Sequence, residues 1–229
     1  MSAEALAAVA GALADPTRAR MLTALMDGRA WTATELSRAG GVAASTASEH
    51  LTRLVGAGLL VEHRQGRHRY LRLADERVAE MLESVASLGG AVAGPPVRSL
   101  RASSTAHALA RGRTCYDHLA GRLGVAVTEA LVARGLLEET MALTAAGRAW
   151  LDEALGAPFT PGRRPLTRSC LDWTERRPHL AGAAGAHVCA AFLANGWVRR
   201  VGTGRALLVT PDGAAAMGRL LGVAPEAVT

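Results

Sequence analysis

Apolar residues recur at helical spacing from Ala3 to Ala14, and the Asp15-Pro16 pair then ends that helix and starts another, with aspartate as its cap and proline at an early helical position. The second helix, Thr17 to Met26, puts Ala19, Leu22, Leu25 and Met26 on one stripe. A third begins near Thr32 to Glu35, where threonine followed by glutamate predicts a capped N-terminus, and it should end at Gly40-Gly41. Val42 to Val55 reads as a fourth helix, with Ala47, Leu51, Leu54 and Val55 facing inward and Ser45, Thr46, Ser48, Glu49, His50 and Arg53 facing out. Gly58 stops it. Two short apolar-rich runs, Leu59 to Val61 and Tyr70 to Leu73, flank the turn at Gln65-Gly66 and predict a hairpin. Asp75 then caps a last helix through Val78, Met81, Leu82, Val85 and Leu88. The chain loosens at Gly89-Gly90 and Gly94-Pro95-Pro96, so a first domain over residues 1–90 and a linker over 91–99 are expected.

Beyond the linker the pattern repeats. His-Leu-Ala-Gly occurs at 118–121 and again at 179–182; in that register Gly124 meets Gly185, Leu131 meets Phe192, Gly135 meets Gly196, and Thr144 to Gly147 meets Thr210 to Gly213. A C-terminal domain over 100–229 is therefore read as two units, about 100–156 and 166–223. Each also echoes the first domain, since Leu54 to Leu60 is similar to Leu131 to Leu137. The fold class expected is mainly α with short β-hairpins: an N-terminal winged helix-turn-helix and a C-terminal helical domain of two degenerate winged-helix-like repeats. The helices in recognition position, Val125 to Val132 and Ala186 to Leu193, are mostly apolar and suit packing or ligand enclosure better than base reading.

Composition narrows the classes. A chain of 229 residues with 49% hydrophobic and 20% charged residues is long enough for a sizeable core, and a formal charge of +6 suits a polyanionic partner. All 26 basic residues are arginine, so arginine alone carries less meaning than usual. The first fourteen residues lack a basic region followed by an apolar core, and no apolar run reaches the roughly 20 residues that span a bilayer, so a cytoplasmic protein without membrane contact is expected. Three cysteines, Cys115, Cys170 and Cys189, are too few and too uneven for a disulfide framework.

The outward residues of the fourth helix are those that read base edges in a major groove, and Arg64, Arg67, His68, Arg69 and Arg72 put cations on the hairpin, where phosphates lie. Either feature alone is an ordinary solvated face; the order helix, helix, Gly-Gly turn, polar helix, hairpin makes the DNA reading the better one. From about Leu6 to Leu88 the chain resembles the ArsR-type winged-helix repressors: in Asp15 to Arg18, in Glu35-Leu36 followed by Ala44 to Leu51, and in Gly58 to Leu60 with Gly66 to Tyr70. The resemblance implies a homodimer joined through the first and last helices of this domain, bound to double-stranded operator DNA of pseudo-palindromic sequence. Family metal sensors carry a cysteine pair on the third helix or acid and histidine ligands on the last. Here no cysteine precedes Cys115 and the last helix has no histidine, so those sites do not carry over.

The extension resembles that of longer ArsR-type regulators with a Cys-Tyr-Asp-His-Leu-Ala-Gly stretch, here 115–121, and a later Cys-Leu-Asp-Trp, here 170–173. Cys115 and His118, three apart, are read as sharing a helical face; Cys170, Asp172 and His179 complete a soft ligand set if the two units pack together. A thiophilic metal such as zinc and a redox-reactive thiol both remain open beside a purely packing role, in which Asp172 pairs with Arg176 one helical turn on. Cys189, in the apolar stretch Val188 to Leu193, reads as core. The function expected is a sequence-specific transcription regulator, a repressor released by a small molecule, a metal or thiol oxidation. The rivals are an architectural DNA-binding protein and a thiol enzyme built on Cys115, Asp117 and His118, whose crowding on one helix argues against a working triad.

Overall fold

The computed structural model describes residues 2–66, 68–89, 100–202 and 204–228. Two compact units divide between Leu82 and Glu83. The expected linker, 91–99, lies outside the described residues.

The first unit runs α1 (Ala3–Leu13), α2 (Pro16–Leu25), β1 (Trp31–Thr32), α3 (Ala33–Gly40), α4 (Ala44–Gly56), β2 (Leu60–Gln65), β3 (His68–Leu73) and the start of α5 (Glu76–Gly89). Its helix starts follow the capping chemistry in the sequence. The Asp15 carboxylate accepts from the Arg18 amide, and Thr32 and Glu35 exchange the reciprocal hydrogen bonds of a capping box. The fully buried Met21, Leu22, Leu25, Leu36, Leu51, Leu54, Leu71 and Leu73 form the core against which α4 is set. Truncating one of these leucines to alanine costs about 2–5 kcal/mol, comparable to the margin of a small domain. The sheet order is β1-β3-β2, with β1 a two-residue strand pairing Trp31 to Leu71 and Thr32 to Tyr70 that periodicity did not foretell. The hairpin strands extend past their apolar runs, to Gln65 opposite His68. This is a winged helix-turn-helix.

The second unit follows with α6 (Leu100–Arg111), β4 (Arg113–Cys115), β5 (His118–Ala120), α7 (Gly121–Ala133) and α8 (Ala145–Glu153). Then come β6 (Arg168–Leu171), β7 (Pro178–Ala181), α9 (Gly182–Ala194), β8 (Val198–Arg200), β9 (Leu207–Val209) and α10 (Pro211–Leu221). Each half is thus a hairpin, a thirteen-residue helix, a second strand pairing and a closing helix; in the first half that pairing is only a Leu137–Leu143 bridge. The closing helices of the two halves are capped alike. Thr144 caps α8 at the Gly147 amide and donates to the carbonyls of Gly135 and Leu136, while Thr210 caps α10 at Gly213 and donates to those of Gly196 and Trp197.

The halves are interleaved, with α9 packed on β5 and α7 on β7. One apolar core unites Leu123, Val127 and Leu131 of α7 with Val188 and Phe192 of α9. The Thr128 hydroxyl of α7 accepts from the Leu180 amide of β7 at 2.8 Å. Close approach at the crossing requires glycine: a Cβ on Gly124 would lie 2.4 Å from the Leu119 carbonyl oxygen, and one on Gly185 2.5 Å from that of Leu180.

Two expectations about the extension are corrected. Cys115 and His118 do not lie on a helix but face each other across the β4–β5 hairpin, because a two-residue turn at Tyr116-Asp117 reverses the chain. Asp172 and Arg176 do not lie on a helix either; they stand in the turn between β6 and β7, where the Arg176 amide donates to the Asp172 carbonyl, and the Asp172 side chain pairs with Arg113 instead.

Candidate functional site

Helix α4 presents Ser45, Thr46, Ser48, Glu49 and Arg53 to solvent, and its N-terminus has no side-chain cap, which leaves amide donors for an anion. His50 is half-buried: its Nδ1 lies 3.3 Å from the Arg18 guanidinium, which itself closes the end of α1 on the carbonyls of Gly11 and Ala12. On the wing Arg64 and His68 are exposed, and Arg67 lies outside the described residues. Arg69 reaches back to the Ser48 hydroxyl of α4 at 3.4 Å, tying wing to helix. The sequence reading missed Glu62, which accepts from Arg64 at 2.8 Å and from Arg69 at 2.7 Å and so holds two wing cations together. The Arg64 and Arg69 guanidinium groups keep its carboxyl below the usual range.

A second constellation lies in the second unit. Strand register sets Cys115 opposite His118 and Cys170 opposite His179, although the first loop has two residues and the second six. The ligand atoms of these four side chains all lie within 4.8 Å of one another, and all four are buried. The two sulfurs are 3.9 Å apart and the two imidazole rings 5.1 Å between centroids. Neither Nε2 has a hydrogen-bond partner. A buried imidazole nitrogen without a partner is costly, and a metal ion is one of the few groups that would satisfy two at once.

The electrostatics are those of a poised thiolate. The Cys115 thiol points at Cys170 and lowers its pKa far below the ordinary value against the effect of burial, with help from His118 and His179. Cys115 is pushed up correspondingly, by that hydrogen bond first, then by burial and by nearby Glu83, which is itself paired with Arg205 at 3.0 Å. Burial opposes charge on His118, but Asp117 and Cys170 beside it lift its pKa to about 9. Cys189 stands apart in the core, its thiol pushed up to about 12 by burial.

Asp172 is not among the four clustered ligands. Its carboxylate accepts from the fully buried Arg113 at 2.9 Å, the Gly121 amide at 2.6 Å, and the Thr174 amide and hydroxyl, so its pKa falls well below the carboxylate range despite burial. Arg113 also stacks on Trp173, 4.8 Å from the ring centroid. The sequence reading missed it, because nothing distinguishes this arginine from 25 others until the fold buries it.

A helix-turn-helix whose exposed polar helix is braced to a basic wing is the fold of a DNA-binding transcription regulator. Residues 13–64 match a helix-turn-helix domain family. Over 224 residues, 95% of this chain and 97% of the relative, the sequence is 36% identical to the uncharacterised HTH-type transcriptional regulator YdfF of Bacillus subtilis (strain 168). Over 82 residues, 36% of this chain and 69% of the relative, it is 43% identical to the HTH-type transcriptional regulator CmtR of Mycobacterium tuberculosis (strain H37Rv). The homodimeric winged helix-turn-helix DNA-binding domain of Mb0332 from Mycobacterium bovis is 30% identical, with a TM-score of 0.37 over 40% of this chain and 83% of that one. The chain belongs to the HTH-type transcriptional regulators, and its first unit carries the helix-turn-helix domain. No helix among the described residues is long and apolar enough to cross a membrane.

Proposed function

We propose that the protein is a homodimeric repressor whose grip on operator DNA is set by a thiophilic metal ion, zinc in the first instance, held by Cys115, His118, Cys170 and His179. The convergence of two buried thiols and two buried imidazoles within 4.8 Å carries the reading. Two sulfurs and two nitrogens are a complete tetrahedral set for such an ion, with no open position for a reacting water, which favours a sensory or structural role over an enzymatic one. When bound, the metal would supply four bonds joining the two halves of the unit. The chain's own residues do the rest: Ser45, Thr46, Ser48, Glu49 and Arg53 of α4 read bases, and Arg64, His68 and Arg69 of the wing hold phosphates.

The 3.9 Å separation of the sulfurs supports a second reading, in which an oxidant such as a peroxide replaces the metal as signal. The Cys170 thiolate takes one peroxide oxygen to give a sulfenic acid and an alkoxide or hydroxide; the Cys115 sulfur then displaces water and a disulfide forms. One experiment separates the two. Metal-free protein is titrated with Co(II) or Zn(II), and separately with hydrogen peroxide, while its affinity for an operator selected from random duplexes is followed. One equivalent of metal with thiolate charge-transfer absorption and a changed operator affinity is expected. A response to peroxide alone overturns the metal reading, and a response to neither leaves an architectural DNA-binding protein.

A further inference from the structure

Both halves of the second unit carry the same short motif, Cys-x-Asp: Cys115-Tyr116-Asp117 and Cys170-Leu171-Asp172. In each hairpin the aspartate follows the cysteine by two residues and meets the histidine of that same hairpin. The Asp117 Oδ1 lies 3.4 Å from His118 Nδ1, and the Asp172 Oδ2 lies 3.7 Å from His179 Nδ1. Each carboxylate is fixed from behind by an arginine: Arg164 donates to Asp117 at 2.6 Å and Arg113 to Asp172 at 2.9 Å. A hydrogen-bonded Arg164-Asp117-His118 chain and an Arg113-Asp172 pair set beside His179 therefore converge on one pair of sulfurs from opposite hairpins.

The two aspartates are held in different ways. Asp172 is locked by Arg113, the Gly121 amide and Thr174, so its position also organises the start of α7. Asp117 is partly open to solvent and is gripped by Arg164 through its second oxygen. In both histidines the nitrogen facing the carboxylate is Nδ1, hydrogen-bonded at His118 and only in ionic range at His179, and the Nε2 atoms are buried without a partner. A carboxylate accepts only, so it favours the tautomer with a proton on Nδ1, and that tautomer carries its lone pair on Nε2.

We infer that Asp117 and Asp172 are positioning residues for a metal centre, holding both imidazoles as Nδ1–H tautomers so that the Nε2 atoms face the ion together with the two sulfurs. This rests on the metal reading above and goes further: it names the ligand atom of each histidine and gives the duplicated Cys-x-Asp motif a purpose. A carboxylate behind a ligating histidine fixes the ring and raises its basicity, and loss of such a partner commonly lowers metal affinity 10–100-fold.

The test is made on the full-length protein loaded with Zn(II). Long-range proton–nitrogen correlation spectra of the histidine rings report the tautomer directly. Both His118 and His179 are expected as Nδ1–H, with Nε2 shifted by the metal. Asp117→Ala and Asp117→Asn are then compared with the parent by competition with a chromogenic chelator, and circular dichroism checks that each variant is folded. A folded Asp117→Ala that keeps a one-to-one Co(II) complex but binds 10–100-fold more weakly, with Asp117→Asn between it and the parent, supports the assignment. The His179 arm is judged by its tautomer in the unmodified protein. Coordination through Nδ1 at either ring, or unchanged affinity in both Asp117 variants, overturns the positioning role alone. A parent protein that takes up no metal overturns the metal reading and this inference with it.

Discussion

Replacing Gly185 with alanine should damage the buried centre without touching any ligand. Gly185 lies in the first turn of α9, where a Cβ would come to 2.5 Å from the Leu180 carbonyl oxygen, 2.9 Å from its carbon and 3.2 Å from the His118 Cβ. Ordinary contact begins at 3.4 Å, so β7 or α9 must move by about 0.9 Å (3.4 minus 2.5), and the neighbour that must give is backbone. An alanine in a helix interior gains about 1 kcal/mol over glycine, but overpacking of this kind costs roughly 1–3 kcal/mol and more where backbone has to shift. The net is a loss, seen as a midpoint lowered by about 2–4 °C per kcal/mol. Because the displaced β7 and β5 carry His179 and His118, metal stoichiometry should fall as well. Gly11→Ala is the control: nothing lies within 4 Å of its Cβ position in α1, and it should be neutral or slightly stabilising. Thermal unfolding and zinc content of both variants decide the matter. A Gly185→Ala protein as stable as the parent, with full zinc content, would refute the close-packed crossing.

Glu62→Gln releases Arg64 and Arg69 from their shared carboxylate, so affinity for all duplexes should rise and its dependence on salt should steepen; fluorescence anisotropy at several salt concentrations measures both, and an unchanged slope counts against a phosphate-binding wing. Asp172 has its pKa depressed in the folded state, so the stability it lends is present above the unfolded carboxylate range near pH 4 and is lost as pH falls towards its folded value. A folded Asp172→Asn protein should therefore lose stability at neutral pH and show a flatter acid limb in urea unfolding; an acid limb parallel to the parent's would assign the pH dependence elsewhere.

The first domain was legible because its signals are local. Asp15-Pro16, Thr32 with Glu35, and the apolar stripe Ala47, Leu51 and Leu54 each declare themselves within one or two turns of helix, and the fold follows them. The extension was less so. Cys115-Tyr-Asp-His is too short to show a period, and three-residue spacing suits a helical face as well as a two-residue hairpin; only the interleaving of the halves decides. The recurrence of His-Leu-Ala-Gly pointed to both hairpins, and four of the five residues proposed there, Cys115, His118, Cys170 and His179, lie together in the fold. Arg113, Arg164 and Glu62 were invisible for a different reason: in a chain whose only basic residue is arginine, a buried or bridging partner looks like any surface charge until its neighbours are known.

The central claim is that metal at the Cys115, His118, Cys170 and His179 centre and operator DNA at α4 and the wing act on one equilibrium. Such coupling is reciprocal, so the zinc dissociation constant should differ between the free protein and the protein saturated with operator, and by the same factor as the operator constant differs with and without zinc. Couplings of this kind are typically 5–150-fold. Matching factors, both lost in Cys115→Ser, are the expected result. Equal zinc affinities with and without operator would contradict the account and leave the buried centre a structural staple.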